Sequence, residues 1–194
     1  MKRLTAQDWI EFALTALARE GAQALKADVL ARRLGVSRGS FYWHFPDLEG
    51  FHARVIERWK QVNTEAIIAD VERHDAPELR LDALLRRAFG RSAALDVRVR
   101  AWAADNVAAA RAVHDIDRRR RDYIAGLLVA AGAAPALAAT RAQLLYWSYL
   151  GAASSRSRLT PGQLDAIVAE LVRLALEDGE AGADAGRPSR REAP

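Results

Sequence analysis

Apolar side chains recur every three or four residues along almost the whole 194-residue chain, and this spacing restricts the fold more than any other feature. Such a period places apolar side chains on one face of a helix, whereas a strand needs alternation, which is hard to find here. Helix starts are marked as well, since Thr5 with Asp8 and Thr160 with Gln163 have the spacing of capping boxes. We therefore predict an all-α protein of about nine helices.

Glycine and proline divide the helical pattern into segments. Gly35 ends the second predicted helix, and Pro46 ends a short third one. We predict a three-helix N-terminal domain over residues 1–46 and a larger helical domain over 47–178. The last segment, 179–194, is rich in Gly, Ala, Pro and Arg without periodicity, which predicts a disordered tail.

The composition excludes several classes of protein. There is no cysteine, and the four histidines are scattered without metal-ligand spacing, so we expect no disulfide, metal or cofactor. The start MKRLTAQDWIEF lacks the apolar region of a signal peptide, and no apolar run approaches the roughly 20 residues that a membrane span needs. We expect a soluble, cytoplasmic protein.

Residues 26–45, KADVLARRLGVSRGSFYWHF, have the features of a helix-turn-helix. Such a pair needs a small residue where its helices nearly touch, which Ala31 supplies, and a residue that tolerates a left-handed turn, which Gly35 supplies. Leu30 and Phe41 have the spacing to form a small core between the helices. The sequence therefore predicts two short helices that meet at Gly35.

The start of the second helix of this pair carries side chains suited to DNA. Ser37 can cap the helix, and Arg38 in its first turn can make a bidentate contact with guanine. Gly39 and Ser40 are small enough to permit a close approach. The first 46 residues hold seven Lys or Arg and four Asp or Glu, so most of the chain's net charge of +4 lies here. Polar atoms that can contact phosphates are carried by Tyr42, Trp43 and His44.

Residues 30–45 resemble the DNA-binding signature of the TetR family, and the resemblance extends over about residues 5–60. It implies a three-helix DNA-binding head, a helical ligand-binding body and a homodimer formed through the last two long helices. Leu48 stands where the family commonly has a phosphate-binding lysine, and Lys26 stands where it has a Ser or Thr cap, although Lys26 can replace the lost charge. The resemblance implies that DNA is faced by Ser37, Arg38, Gly39, Ser40, Tyr42, Trp43 and His44.

Two other patterns have competing interpretations. Residues 35–39, GVSRG, match the nucleophile elbow of serine hydrolases, but that elbow needs a preceding strand, and the preceding residues have helical spacing. No other segment supplies a nucleophile with its base, so we expect no enzyme. Residues 118–121 are four consecutive arginines, which encircle a helix. We expect solvated charges there, with Asp115, Asp117 and Asp122 as local partners and a second nucleic-acid site as the alternative.

The helical body offers candidates for a ligand pocket and for a dimer interface. Effector pockets are mostly apolar with few polar groups, and the residues we assign to one are Phe89, Trp102, Tyr123, Tyr146 and Trp147. Residues 144–153 are apolar almost all round, so this helix must be buried on more than one face. The residues that we assign to a homodimer interface are Leu150, Leu164, Ile167, Val168 and Leu171.

Together these features favour a sequence-specific regulator of transcription. We expect a repressor that binds a palindromic double-stranded operator as a homodimer and is released by a small-molecule effector. The alternative is a helical ligand-binding or sequestration protein with no role at DNA, which predicts no salt-dependent binding to a duplex.

Overall fold

The computed structural model describes residues 4–155 and 159–177, and within these ranges it contains nine longer helices, one 3₁₀ turn (Ala22–Leu25) and no strand. The segment 179–194, for which we predicted disorder, lies outside the described residues. Among the described residues, no helix combines the length and the apolar character that crossing a bilayer requires. The helices are α1 (Ala6–Glu20), α2 (Ala27–Arg33), α3 (Arg38–His44), α4 (Leu48–Lys60, Gln61–Glu65 and Ala66–Val71), α5 (Pro77–Gly90), α6 (Ala94–Ala103), α7 (Val107–Ala130), α8 (Pro135–Ser154) and α9 (Pro161–Leu176).

The two helix starts that were predicted from capping boxes are confirmed. The Thr5 backbone N–H donates to the Asp8 carboxylate at 2.7 Å, while the Asp8 N–H donates to the Thr5 hydroxyl at 3.2 Å. Thr160 and Gln163 make the same reciprocal pair at the start of α9. These bonds satisfy backbone donors that have no partner within the first turn of a helix.

Helix α4 is less regular than the sequence predicts. Its first part begins with the predicted Asp47 cap, whose carboxylate accepts from the Gly50 N–H at 2.7 Å. The Gln61–Glu65 part is a π-helical turn, in which the Ala66 N–H bonds to the Gln61 carbonyl. A π turn inserts one extra residue per turn and is common at functional sites. The periodicity of the sequence does not reveal it.

Two hydrophobic cores divide the structure, and α7 passes through both. The first core joins the three N-terminal helices to the first part of α4, to α6 and to the start of α7, and its largest buried side chains include Trp9, Phe41 and Trp59. The second core lies among α5, the end of α7, α8 and α9, and is centred on Leu81 and Leu128. Apolar packing therefore continues past Pro46 without a break.

Candidate DNA interface and ligand cavity

The turn between α2 and α3 has the geometry that its glycine predicts. Gly35 has a φ of +67°, in the left-handed region. The Val36 N–H donates to the Ala31 carbonyl at 3.0 Å, and the Gly35 N–H donates to the Arg32 carbonyl at 3.3 Å. These two bonds are a Schellman motif, which satisfies the last carbonyls of α2 and reverses the chain. The turn therefore sets the direction in which α3 leaves.

One buried side chain, Phe41, anchors one face of helix α3 to the rest of the head. Phe41 is fully buried, and its ring centroid lies 5.4 Å from that of Trp9, 5.1 Å from that of Phe45 and 5.0 Å from that of Phe51. Three of its neighbours come from α1, from the end of α3 and from α4. Aromatic contacts of this kind add to the free energy of burial, so this short helix is anchored to α1 and to α4.

The opposite side of α3 is open to solvent. Ser37, Arg38 and Gly39 are exposed, and the Trp43 side chain is 66% exposed. The Arg38 guanidinium donates to the Tyr42 hydroxyl at 3.0 Å and lies 5.4 Å from the centre of its ring. Ser37 occupies the N-cap position without a side-chain cap bond, so the N–H groups of the first turn of α3 remain available to a partner.

The basic residues of the head are not equally available. Arg33 makes a bidentate ion pair with Glu20, with both N–O distances at 2.5 Å. Lys26 is exposed at the N-cap of α2 and makes no cap bond. Arg33 therefore joins α1 to α2, whereas Lys26 and Arg38 present their charges to solvent.

A cavity of about 120 Å³ lies in the body, between α4, α5, α7 and α8. At roughly 30 Å³ per water molecule in the liquid, this is the space of about four waters. Aliphatic side chains from four helices form most of its wall, and the polar groups are a few tyrosine, arginine, serine, threonine and asparagine side chains. The lining residues are Asn63, Thr64, Ile67, Ile68, Leu84, Leu85, Arg87, Ala88, Phe89, Arg91, Ser92, Ala93, Arg120, Tyr123, Ile124, Leu145, Tyr146 and Tyr149.

In the wall of this cavity, the Arg120 side chain makes a buried ion pair that joins α7 to α6. The Arg120 guanidinium donates to both oxygens of the Asp96 carboxylate, at 3.0 and 3.2 Å. It also donates to the Thr64 hydroxyl at 3.0 Å and to the Asn63 carbonyl at 3.1 Å, both in the π turn of α4. Asp96 is only 1% exposed. The pair therefore ties the π turn to the body.

Arg100 extends this network to α8. It donates to Asp117 at 2.6 and 3.0 Å, to the Tyr146 hydroxyl at 2.7 Å and to Asp96 at 3.3 Å. Burial by itself raises the pKa of Asp96, but the adjacent Arg120 and Arg100 guanidiniums outweigh it and hold that pKa below its ordinary value. Burial, together with the nearby Asp96 charge, raises the pKa of Tyr149 to about 12. The network thus keeps the buried Asp96 carboxylate charged inside the protein.

The described residues offer no sign of a metal centre, since no three His, Cys, Asp or Glu side chains among them are grouped to hold an ion. Ser37 follows the helix α2 and the turn at Gly35, not a strand. The geometry of a nucleophile elbow is therefore missing at the GVSRG segment.

Residues 10–54 match the sequence profile of the family described as bacterial regulatory proteins, tetR family. The N-terminal domain of the chain is therefore similar in sequence to that of tetR-family regulatory proteins. The match covers the second part of α1, the helix-turn-helix and the start of α4, which is the region whose exposed face is described above. No curated protein matches the chain at a significant level.

Solved tetR-family and other regulator structures share the fold over most of the chain. A transcriptional regulator from Rhodococcus sp. Rha1 is 21% identical, with a TM-score of 0.72, over 89% of this chain and 96% of its own. A TetR-family regulator from Agrobacterium tumefaciens is 18% identical, with a TM-score of 0.67, over 87% and 96%. A putative regulator from Saccharomonospora viridis, solved with choline, is 17% identical, with a TM-score of 0.66, over 86% and 92%.

The predicted DNA-facing residues of the head lie together on one surface. Ser37, Arg38, Gly39, Tyr42 and Trp43 are exposed along α3, whereas Ser40 and His44 are partly covered. Lys26 is exposed at the start of the preceding helix. Sequence reasoning did not find that Arg38 stacks on Tyr42, although the four-residue spacing of the two on a helix is the signal for such a contact.

The predicted pocket residues divide into two groups. Phe89, Tyr123 and Tyr146 line the cavity. Trp102 does not, because it is buried in the first core, where its ring packs edge-on against His52 at 5.0 Å. Trp147 does not either, because its side of α8 points to solvent and the side chain is 61% exposed. Aromatic character alone cannot distinguish the faces of a helix.

Sequence reasoning missed several lining residues of the cavity. Ile67 and Ile68 follow the π turn, Arg87 and Arg91 come from the end of α5, and Tyr149 lies one turn after Tyr146. Only Tyr149 had a usable signal, since residues three apart on a helix share a face.

The predicted interface residues also divide. Val168 is fully buried in the second core of its own chain, and Leu150, Leu164 and Leu171 pack against that core, so Val168 cannot contact a partner. Ile167 is 36% exposed. Exposed apolar side chains that the prediction omitted from this region are Leu144, Trp147 and Leu174.

The four arginines do not behave as one solvated group. Arg118 is exposed and pairs with Asp115 at 3.0 Å, as predicted. Arg120 is buried, and the prediction is wrong for it, because its partners are Asp96 and the π turn and not the neighbouring aspartates. Arg121 donates to the Gln143 side chain at 2.7 Å, which joins α7 to α8.

Proposed function

We propose that the chain is a ligand-responsive repressor that binds a palindromic operator as a homodimer. The observation that carries the proposal is the exposed start of α3, where Ser37, Arg38 and Gly39 project from a helix anchored on its other side by Phe41. A recognition helix must enter the major groove with its N-terminal residues free to contact bases. The net positive charge of the first 46 residues favours the approach to DNA.

A homodimer is supported by the surface of α8 and α9. These two helices contact each other, and each carries large apolar side chains in solvent: Leu144 and Trp147 are 55% and 61% exposed, and Leu174 is 51% exposed. Apolar groups concentrated on neighbouring helices are typical of protein interfaces. In a dimer formed there, two copies of α3 would contact successive major grooves roughly 34 Å apart.

Helix α4 is the element through which a ligand would act on the head. Its first part contributes Phe51 and Val55 to the head core, while its π turn and last part contribute Thr64 and Ile67 to the cavity wall. A ligand that binds one position of α4 more tightly would shift the population toward that position and change the separation of the two copies of α3. The proposed localisation is the cytoplasm, where operator DNA is found.

The DNA-binding proposal is tested by selecting duplexes from a random pool with the purified protein. Arg38→Ala should weaken binding to the selected operator about 5- to 150-fold per half-site, because a bidentate guanine contact contributes roughly 1–3 kcal/mol. Binding to unrelated duplex should change little. Arg38→Lys, which keeps the charge without the planar fork, should lose most of the same preference.

The outcomes separate this proposal from the alternative of a sequestration protein. A protein that selects no sequence and shows no salt-dependent affinity for duplex DNA would refute the repressor. Selection that survives Arg38→Ala at full affinity would refute only the role of α3. The fold of each variant is checked by circular dichroism.

The dimer is tested by sedimentation. Trp147→Glu and Leu174→Glu should yield monomers with weaker operator binding, because each places a charge in an apolar interface. Val129→Glu is the matched control, since Val129 is 45% exposed and lies on α7, which is not one of the two helices assigned to the interface. Dimers that persist in both interface variants would contradict the assignment.

A further inference from the structure

The charged side chains that line the cavity are all cationic. Arg87, Arg91 and Arg120 contribute to its wall, and none of the described lining residues is an aspartate or a glutamate. The three arginines differ in what they already bind, and this difference indicates which of them a ligand can use.

Arg120 is fully engaged. Its three nitrogens donate to Asp96, to Thr64 and to the Asn63 carbonyl, as described above. The tyrosines of the wall are engaged as well, since Tyr123 donates to Glu72 at 2.6 Å and Tyr149 donates to Asp96 at 3.3 Å. The hydrogen bonds of these groups are therefore already made within the protein, and the groups need no ligand as a partner.

Arg87 and Arg91 have donors to spare. One terminal nitrogen of Arg87 pairs with Asp70 at 2.7 Å, but its Nε is buried with no hydrogen-bond partner in the structure. A buried N–H group without an acceptor costs free energy, and most buried polar groups in proteins have a hydrogen-bond partner. Arg91 follows the last residue of α5 and is exposed, and among the described residues no ion pair is found for it. The two arginines are four residues apart at the C-terminal end of α5, and both line the cavity.

The rest of the wall is suited to an apolar body. Seven of the larger lining side chains have no polar atoms, and a chain or ring packed against them would be removed from water. They are Ile67, Ile68, Leu84, Leu85, Phe89, Ile124 and Leu145.

We propose that the cavity binds a small organic carboxylate with an apolar body, whose carboxylate accepts from the Arg87 and Arg91 guanidiniums. This deepens the proposed function, since it names the chemical class of the effector. A carboxylate provides the acceptor that Arg87 lacks and matches the planar donors of arginine. A cation such as choline, which the Saccharomonospora viridis protein binds, would face three guanidiniums here with no carboxylate in the wall.

The test uses ligands that share one alkyl chain and differ only in charge. Octanoate, octanol and octylamine are titrated into the full-length protein by calorimetry, together with butanoate, decanoate and benzoate to vary the body. We expect at least one carboxylate to bind, and the alcohol and the amine of the same chain to bind at least tenfold more weakly. Equal binding of octanol, tighter binding of octylamine or binding of no carboxylate would each overturn the proposal.

Variants locate the carboxylate. Arg87→Met and Arg91→Gln should each weaken binding of the carboxylate about tenfold or more and leave octanol binding unchanged. Arg91→Gln keeps the test valid if Arg87→Met unfolds, because Arg91 is exposed. The matched control is Arg98→Gln, an exposed arginine of α6 outside the cavity, which should have no effect. Unchanged carboxylate affinity in folded variants would refute the assignment.

Failure of this inference can be distinguished from failure of the proposed function. Operator affinity is measured for the same preparations with and without the carboxylate. If the carboxylate binds through Arg87 and Arg91 but operator affinity stays the same, the anion site stands and ligand response fails. If the operator is bound and no carboxylate binds, the inference fails and DNA recognition by α3 stands.

Discussion

The four arginines of residues 118–121 allow a direct measurement of what burial adds to one ion pair. Arg118 and Arg120 lie two residues apart on α7, and each pairs with an aspartate at 3.0 Å. The side chains of Arg118 and Asp115 are 60% and 56% exposed, whereas those of Arg120 and Asp96 are 12% and 1% exposed. Methionine at either position keeps most of the length of arginine and removes its charge.

The expected magnitudes follow from these environments. Breaking a buried pair by removing one partner costs about 3–5 kcal/mol, because a charge is left in the interior. Arg120→Met should lie near the lower end of this range, about 3 kcal/mol, because Asp96 keeps contacts at 3.3 Å with Arg100 and with Tyr149. Arg118→Met should cost about 0–1 kcal/mol, since exposed pairs contribute little.

The assay is equilibrium unfolding in urea at a fixed protein concentration. With a slope of about 2 kcal/mol per molar urea, Arg120→Met should lower the midpoint by about 1.5 M and Arg118→Met by less than about 0.5 M. Replacing Asp96 by Leu together with Arg120→Met should recover part of the loss, because no unpaired charge remains. Equal midpoint shifts for the two single variants would refute the reasoning from burial.

Three further predictions concern the head. Burial lowers the pKa of His52 below its ordinary value of 6.5, so the folded state prefers the neutral ring and stability is lost as the pH falls below that value. His52→Gln should therefore flatten the decline in unfolding free energy between about pH 7 and about pH 5.5. A decline in this variant as steep as in the control His114→Gln, which changes an exposed histidine, would contradict the prediction. Gly35→Ala should cost about 1 kcal/mol of stability, because φ is +67° and only glycine adopts that region without strain. The control Gly126→Ala, at an exposed position within α7, should instead stabilise the protein by roughly 0.5–1 kcal/mol. Melting curves in which Gly35→Ala is the more stable variant would exclude strain at the turn. Lys26→Ala should reduce the slope of log K against log salt by about 0.9 per subunit without changing the selected sequence, and an unchanged slope would remove Lys26 from the phosphate contacts.

The head shows how far local signals extend. Ala31, Gly35 and Phe41 predicted the close approach, the turn and the core of the helix-turn-helix, and all three roles appear in the structure. The sequence also predicted the capping boxes at Thr5 and Thr160, and both are present in the structure. Each of these features depends on hydrogen bonds or steric limits that act within about five residues, so the order of residues along the chain contains the information.

The body shows where that information ends. Val168 and Leu174 have the same apolar character and lie on one helix, yet the first is buried and the second is half exposed. Arg118 and Arg120 stand in one uninterrupted run, yet Arg118 pairs with the exposed Asp115 whereas Arg120 pairs with the buried Asp96. The sequence alone determined the helices, their ends and the surface of α3. Only the tertiary structure decided which face of each body helix meets the core, because that depends on the angles at which helices far apart in the chain pack together.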